Sequence, residues 1–253
     1  MRGRWVGRAA GLRVECHLVP DIVRQAPALA HAGTLVTPAN ELLAGTQRSY
    51  FPRGGPCPPP PPVGLETSSW GGMEAGPNMV YPMQCVDGAV HAWGGKVFRE
   101  ACRAALPPGG HCAVGSAVVT PACGQLAEHF RTVVHAVPPF RSDPRWRELL
   151  EETYASALRL AIGGALPAAQ AWSLPWGSPP LPPPPAAVAL PLLGAGARGA
   201  DATEAAEVAA SAVAAFDMRY YDASSPATVL LCVVEPAIAT TLARQLDLRL
   251  TKG

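Results

Sequence analysis

The chain has 253 residues, 49% of them hydrophobic, and a formal net charge of +1. That length accommodates one large or two small domains with a substantial apolar core. The near-zero charge argues against general nucleic-acid or membrane-surface binding, and no apolar run approaches a membrane span.

Residues 1–11 read as a basic extension, because Arg2, Arg4 and Arg8 fall there and the first acid is Glu15. A remnant of an organelle-import segment is the competing reading. From residue 12 the chain alternates short Val- and Leu-rich runs with helical patterns. The first runs, 12–18 and 33–37, carry few charges, as strands buried on both faces do. Residues 52–62 include five consecutive prolines, which cannot join a helix or a central strand and predict an extended surface loop. A helix is expected over 87–105. Strands follow at 116–120 and 132–137. Asp143-Pro144 marks a helix start, and Trp146, Leu149, Leu150, Thr153, Ala157 and Leu160 recur at helical spacing behind it.

A second proline-rich segment ends at Pro185, and an apolar strand is expected over 187–193. It runs into Gly194, Gly196 and Gly199, and then into Asp201 and Glu204, a helix-capping pair. Glycines let backbone amides approach a ligand closely, and a helix N-terminus carries partial positive charge. A diphosphate cradle and a mere tight turn both fit this pattern. A last strand at 228–234 and a helix at 236–246 complete an alternating α/β order. The chain is expected to form a single domain over 12–253, with proline-rich insertions at about 46–84 and 172–186. Seven cysteines (Cys16, Cys57, Cys85, Cys102, Cys112, Cys123 and Cys232) are scattered, with no C-x-x-C pair and no zinc-type spacing. Reduced thiols in a cytoplasmic or nuclear protein are expected, with no metal and no cofactor.

Five blocks in chain order resemble the macro domain family. They are His17-Leu-Val-Pro-Asp21-Ile22-Val23, Leu35-Val-Thr-Pro-Ala39-Asn40-Glu-Leu-Leu-Ala-Gly45, Val86-Asp87-Gly88-Ala-Val-His91, the pair Gly115–Thr120 with Val133–Pro138, and Pro191–Gly199. The resemblance implies a three-layer α/β/α sandwich around a mixed, mostly parallel six-stranded sheet. It also implies an ADP-ribose site. In that site Asp21 would accept a hydrogen bond from the adenine amine and Ile22 would line the base pocket. Asn40 would bind the distal ribose, and Val86 and Gly88 would contact the ligand at the start of a helix. Gly194, Ala195, Gly196, Ala197, Arg198 and Gly199 would hold the diphosphate.

By the same resemblance, Asp87 would be the catalytic base and Asn40 its partner on the ribose, hydrolysing an ADP-ribosyl or O-acyl-ADP-ribose bond. Each polar residue has a simpler reading. Asp21 and Asp87 make good helix caps, Asn40 a good turn residue, and His91 and His135 buried core histidines. The sequence departs from the family pattern in two places. Forty-six residues separate Asn40 from Asp87, where the family has a short glycine-rich loop. Tyr50, Phe51, Trp70 and Tyr81 of that insertion could stack on the ligand. Arg198 stands where the family has an aromatic residue, and could pair bidentately with a phosphate. A non-catalytic reader and an ADP-ribose 1″-phosphate phosphatase are the alternative functions. Expected partners are ADP-ribose or a derivative and ADP-ribosylated proteins, with no membrane and no general nucleic acid. The chain is expected to be a monomer.

Overall fold

The computed structural model describes residues 4–9, 11–30, 32–46, 84–163, 187–216 and 228–252. Most of both proline-rich insertions lies outside the described residues, as do Tyr50, Phe51, Trp70 and Tyr81. The elements in chain order are β1 (Arg4–Ala9), β2 (Leu12–Leu18), α1 (Ile22–Ala30), β3 (Ala32–Pro38), α2 (Val86–Ala105), β4 (Ala117–Pro121) and β5 (Thr132–Ala136). They continue as α3 (Trp146–Gly163), β6 (Ala187–Pro191), α4 (Ala202–Ala215), β7 (Thr228–Val233), α5 (Pro236–Asp247) and β8 (Thr251–Lys252).

All eight strands form one sheet in the order β4-β5-β3-β6-β7-β2-β1-β8. The five central strands are mutually parallel. The outer pairings, β4 on β5 and β1 on β2 and β8, are antiparallel. The sheet is therefore mixed and mostly parallel, but it has eight strands rather than six. The two additional strands sit at one edge. Residues 4–9, expected to lie outside the domain, pair with β2 through a hairpin turn at Gly11 (φ +90°). Arg4 and Arg8 break the apolar run by which the central strands are recognised. Trp5 packs on the core, and its indole N–H donates to Asp247 at 2.8 Å.

Neighbouring strand residues point to opposite faces, and the core divides accordingly. Leu35, Val133, Ala189 and Leu230 pack under α1 and α2. Val36, Val134, Val188, Val229 and Leu231 pack under α3, α4 and α5. This gives a three-layer α/β/α sandwich. The helix expected over 87–105 forms, with a break at Gly95 (φ +66°). The helix expected from Pro144 begins instead at Trp146, because Asp143 first closes a turn by accepting the Arg145 N–H at 2.8 Å. No helix among the described residues is long and apolar enough to cross a membrane.

Candidate functional site

Five parallel strands end at one edge of the sheet, and open α/β sheets bind ligands outside the carboxyl ends of their strands. Asp21 follows β2, Asn40 follows β3 and the 194–199 loop follows β6. In the strand order, β6 lies between β3 and β7, and β2 lies beyond β7. Asp21 and the β3 loop are thus three strand spacings apart, roughly 14 Å, with the glycine loop between them.

Asp87 sits in the first turn of α2 and is only 4% exposed. It is not the helix cap, because Cys85 occupies that position. Its carboxylate accepts hydrogen bonds from the Thr37 hydroxyl at the end of β3 and from the Thr46 hydroxyl, both at 3.4 Å. Burial pushes its pKa up to about 7, against the opposing pull of those two hydroxyls and of the Arg198 charge. A carboxylate balanced at neutral pH can take up and return a proton.

His91, one turn further along α2, brings its Nε2 to 3.8 Å from Asp87. Burial lowers its pKa to about 4, and that of His135 to about 3. Both rings are neutral at pH 7 and pack on Phe98, His91 edge-on and His135 stacked. His91, Cys102 and His135 each offer a ligating atom within 4.8 Å of the others, the set among the described residues that could surround a metal ion. His135 Nε2 is already engaged by the Thr120 hydroxyl at 3.0 Å and by Cys102 Sγ at 3.7 Å. With the ring stacking, that makes the cluster part of the packed interior beneath Asp87.

Asn40 acts as a staple for its own loop. Its Oδ1 accepts the Leu42 and Ala44 amides at 3.2 and 3.0 Å, and its Nδ2 donates to the Gly45 carbonyl at 3.1 Å. Gly45 (φ +81°) is obligatory there, since a Cβ would come within 2.7 Å of the His91 ring. The loop therefore lies directly on α2.

In the glycine loop, Gly194 (φ +83°) and Gly199 (φ +77°) adopt backbone conformations that side chains disfavour. A Cβ on Gly194 would also press on Leu150 at 3.2 Å. The loop is tied off by Gly199 N–H to Gly196 O at 2.9 Å and Ala200 N–H to Gly194 O at 3.1 Å. Tyr154, fully buried in α3, accepts the Leu193 N–H on its hydroxyl at 2.8 Å and anchors the loop's first residue. The sequence reading missed Tyr154, which lies within an apolar stripe and differs from phenylalanine only by this oxygen. The helix behind the loop does not add an open N-terminus to the cradle as expected. The Asp201 carboxylate already accepts the Thr203 and Glu204 amides at 2.8 and 3.3 Å.

Arg198 is bonded within the protein. Its guanidinium grips the Glu41 carboxylate bidentately, 3.2 Å at each contact, and donates to the Ala39 carbonyl at 3.2 Å. It also lies 4.3 Å over the Phe140 ring. Arg198 thereby joins the β3, β5 and β6 loops. Asp21 caps α1 by accepting the Arg24 N–H at 3.1 Å, and its side chain stays 40% exposed. Ile22 is buried in the core beside it. Val86 and Gly88 flank Asp87 in the first turn of α2, Gly88 buried.

A mixed, mostly parallel α/β sheet thus carries a glycine loop and a buried carboxylate at its carboxyl edge, where open α/β folds form their sites. The macro domain model matches residues 78–209, more than half of the chain. The chain belongs to the macro domain family. A macro domain-containing protein of Cupriavidus necator is 42% identical over 78 residues, 30% of this chain and 43% of that protein. An O-acetyl-ADP-ribose deacetylase of Klebsiella pneumoniae is 32% identical over 137 residues, 53% of this chain and 66% of that enzyme. The matched segments thus span less than two thirds of these relatives. Among solved structures, an Oceanobacillus iheyensis macrodomain variant superposes with a TM-score of 0.63 at 18% identity, covering 98% of this chain and 94% of that one. A Trypanosoma brucei macrodomain in complex with ADP-ribose gives 0.54 at 17%, covering 91% and 65%. At these identities the likeness is one of fold.

Proposed function

We propose that this macro domain binds ADP-ribose and hydrolyses an acyl ester carried on its distal ribose. The observation that carries the reading is Asp87, a buried carboxylate that caps no helix, with a pKa raised to about 7. The carboxyl edge suits an extended ligand. Adenine would lie at Asp21, the diphosphate on the amides of the 194–199 loop, and the distal ribose against Asp87 and the 39–46 loop. Asp87 would accept a proton from a water as it attacks the ester carbonyl, and the alcohol of the ribose would leave protonated. The name of the Klebsiella relative, an O-acetyl-ADP-ribose deacetylase, supports this choice of bond.

One observation favours a second reading, that of a non-catalytic reader of ADP-ribosylated proteins. Asn40, expected to orient the ribose, spends its side chain on the loop. A phosphatase acting on ADP-ribose 1″-phosphate is the weaker alternative, because Arg198 already has Glu41 as its anionic partner.

Calorimetric titration with ADP-ribose, ADP and AMP tests binding, and incubation with O-acetyl-ADP-ribose tests turnover. Micromolar affinity that depends on the distal ribose, together with acetate release, is the expected result. Tight binding with unchanged substrate would favour the reader, and no binding of any of the three would remove both readings.

A further inference from the structure

We propose that the Arg198–Glu41 ion pair positions Asp87 and sets the charge balance around its carboxylate. The inference rests on the reading of Asp87 as the base, but its test does not require turnover.

The geometry runs through the 39–46 loop. Arg198 holds the start of that loop twice, at the Ala39 carbonyl and at the Glu41 carboxylate. The Cys112 amide holds it again by donating to the Glu41 carbonyl at 2.7 Å. Within the loop, Asn40 staples residues 42, 44 and 45. At its far end Thr46 donates to Asp87 Oδ2, while Thr37, two residues before Ala39, donates to Oδ1. The Thr46 hydroxyl therefore belongs to the loop that Arg198 braces, and the Thr37 hydroxyl to the strand that leads into it. Arg198 is itself fixed, only 9% exposed and stacked on Phe140.

The charges agree with this geometry. On α2, Asp87 has Cys85, His91 and Cys102 as titratable neighbours. Burial raises the pKa of both thiols, Cys102 to about 12, and keeps His91 neutral, as it does His135 behind it on β5. From β3 and its loop come the neutral Thr37 and Thr46 and the ionised Glu41. Burial would raise the Glu41 pKa, yet the bonds and charge of Arg198 hold it below the ordinary carboxylate range. Arg198, on the β6 loop, is then the cation acting on Asp87, and Glu41 is the carboxylate paired with it.

The two partners of the pair must therefore move the Asp87 titration in opposite directions. Loss of Arg198 leaves Glu41 negative and raises the midpoint. Loss of the Glu41 charge leaves Arg198 unpaired and lowers it. The experiment is a carbon-13 NMR titration of the Asp87 carboxyl in the ligand-free protein, assigned with Asp87→Asn. Wild type, Glu41→Gln, Arg198→Met and the double variant are compared. Arg198→Met should rise and Glu41→Gln should fall, the first by roughly half a pH unit or more, with the double variant between wild type and Arg198→Met. Shifts of the same sign, or none, would overturn the proposal and reduce the pair to packing.

Should Arg198→Met fail to fold, Glu41→Gln decides alone, because the Glu41 side chain is 37% exposed and its replacement is nearly isosteric. A fall supports the proposal and any other result overturns it. If the protein also turns over O-acetyl-ADP-ribose, the acid limb of its pH–rate profile should move with the NMR midpoint. Loss of ADP-ribose binding with the opposed shifts intact would overturn the proposed function and leave the charge coupling standing.

Discussion

Asp87 is costly where it stands: a carboxyl group 4% exposed and pushed towards neutrality by burial. The usual structural justification for an aspartate at a helix start, bonding to the first-turn amides, belongs here to Asp201 on α4 and not to Asp87 on α2. If Asp87 is the base, Asp87→Ala should lower turnover of O-acetyl-ADP-ribose by about 100- to 10,000-fold. It should leave ADP-ribose affinity within about tenfold, as expected for a group whose role is in the transition state. Parallel loss of both in calorimetry and acetate release would mean the carboxyl only holds the loop through Thr37 and Thr46. Asn40 supplies the complementary case. Asn40→Ala removes the bonds from the Leu42 and Ala44 amides to the side chain, and should cost about 0.5–1.5 kcal/mol in a urea titration. A stability change well below that range would show that the loop does not depend on the staple.

At the scale of elements, the glycine loop is held by α3. Tyr154 accepts the Leu193 amide and Leu150 fills the space above Gly194. Tyr154→Phe preserves packing and removes the acceptor, so a buried N–H is left unsatisfied at a cost of about 1–3 kcal/mol. Chemical denaturation should register that loss. Diphosphate affinity, read with ADP, should fall alongside it, because the loop loses its anchor. Unchanged affinity with reduced stability would show that the loop keeps its shape without Tyr154. A glycine loop between strand and helix was legible in the sequence, since three glycines stand there between an apolar run and a cap. So were the six strands rich in Val and Leu, whose residues face cores on both sides. β1 and β8 were not, because Arg4 and Arg8 interrupt the apolar run of β1 and β8 has two residues. Asp21, Asn40, Asp87 and Arg198 were all singled out, and the capping role of Asp21 and the turn role of Asn40 were readable, but the long-range contacts of Asp87 and Arg198 were not. Arg198 and Glu41 are 157 positions apart, and only the parallel alignment of β3 and β6 brings their loops together. Tyr154 was hidden because periodicity reports which face a residue occupies and is silent about a single hydroxyl.

For the whole molecule, the buried acid and the two buried histidines make opposite contributions to the pH dependence of stability. His91 and His135 have folded pKa values of about 4 and about 3, below the ordinary 6.5. Between pH 4 and 6.5 the unfolded chain binds protons at these sites that the folded chain does not, so they make stability rise with pH. Asp87 has a folded pKa of about 7, above its ordinary 3.8. Over the same window the folded chain retains a proton that the unfolded chain has lost, so Asp87 makes stability fall with pH. Its contribution is fully present below pH 4 and gone above pH 7. One proton from Asp87 thus cancels one of the two from the histidines. Replacement by asparagine, which cannot ionise, removes the opposing term and should roughly double the net slope contributed by these three groups. Measured as melting temperature from pH 4 to 7, the difference between Asp87→Asn and wild type should grow steadily in favour of the variant as pH rises. It should then level off above pH 7. A constant difference would mean that Asp87 ionises at an ordinary pH in the folded chain. It would then lack the raised proton affinity on which its proposed role as a base at neutral pH depends.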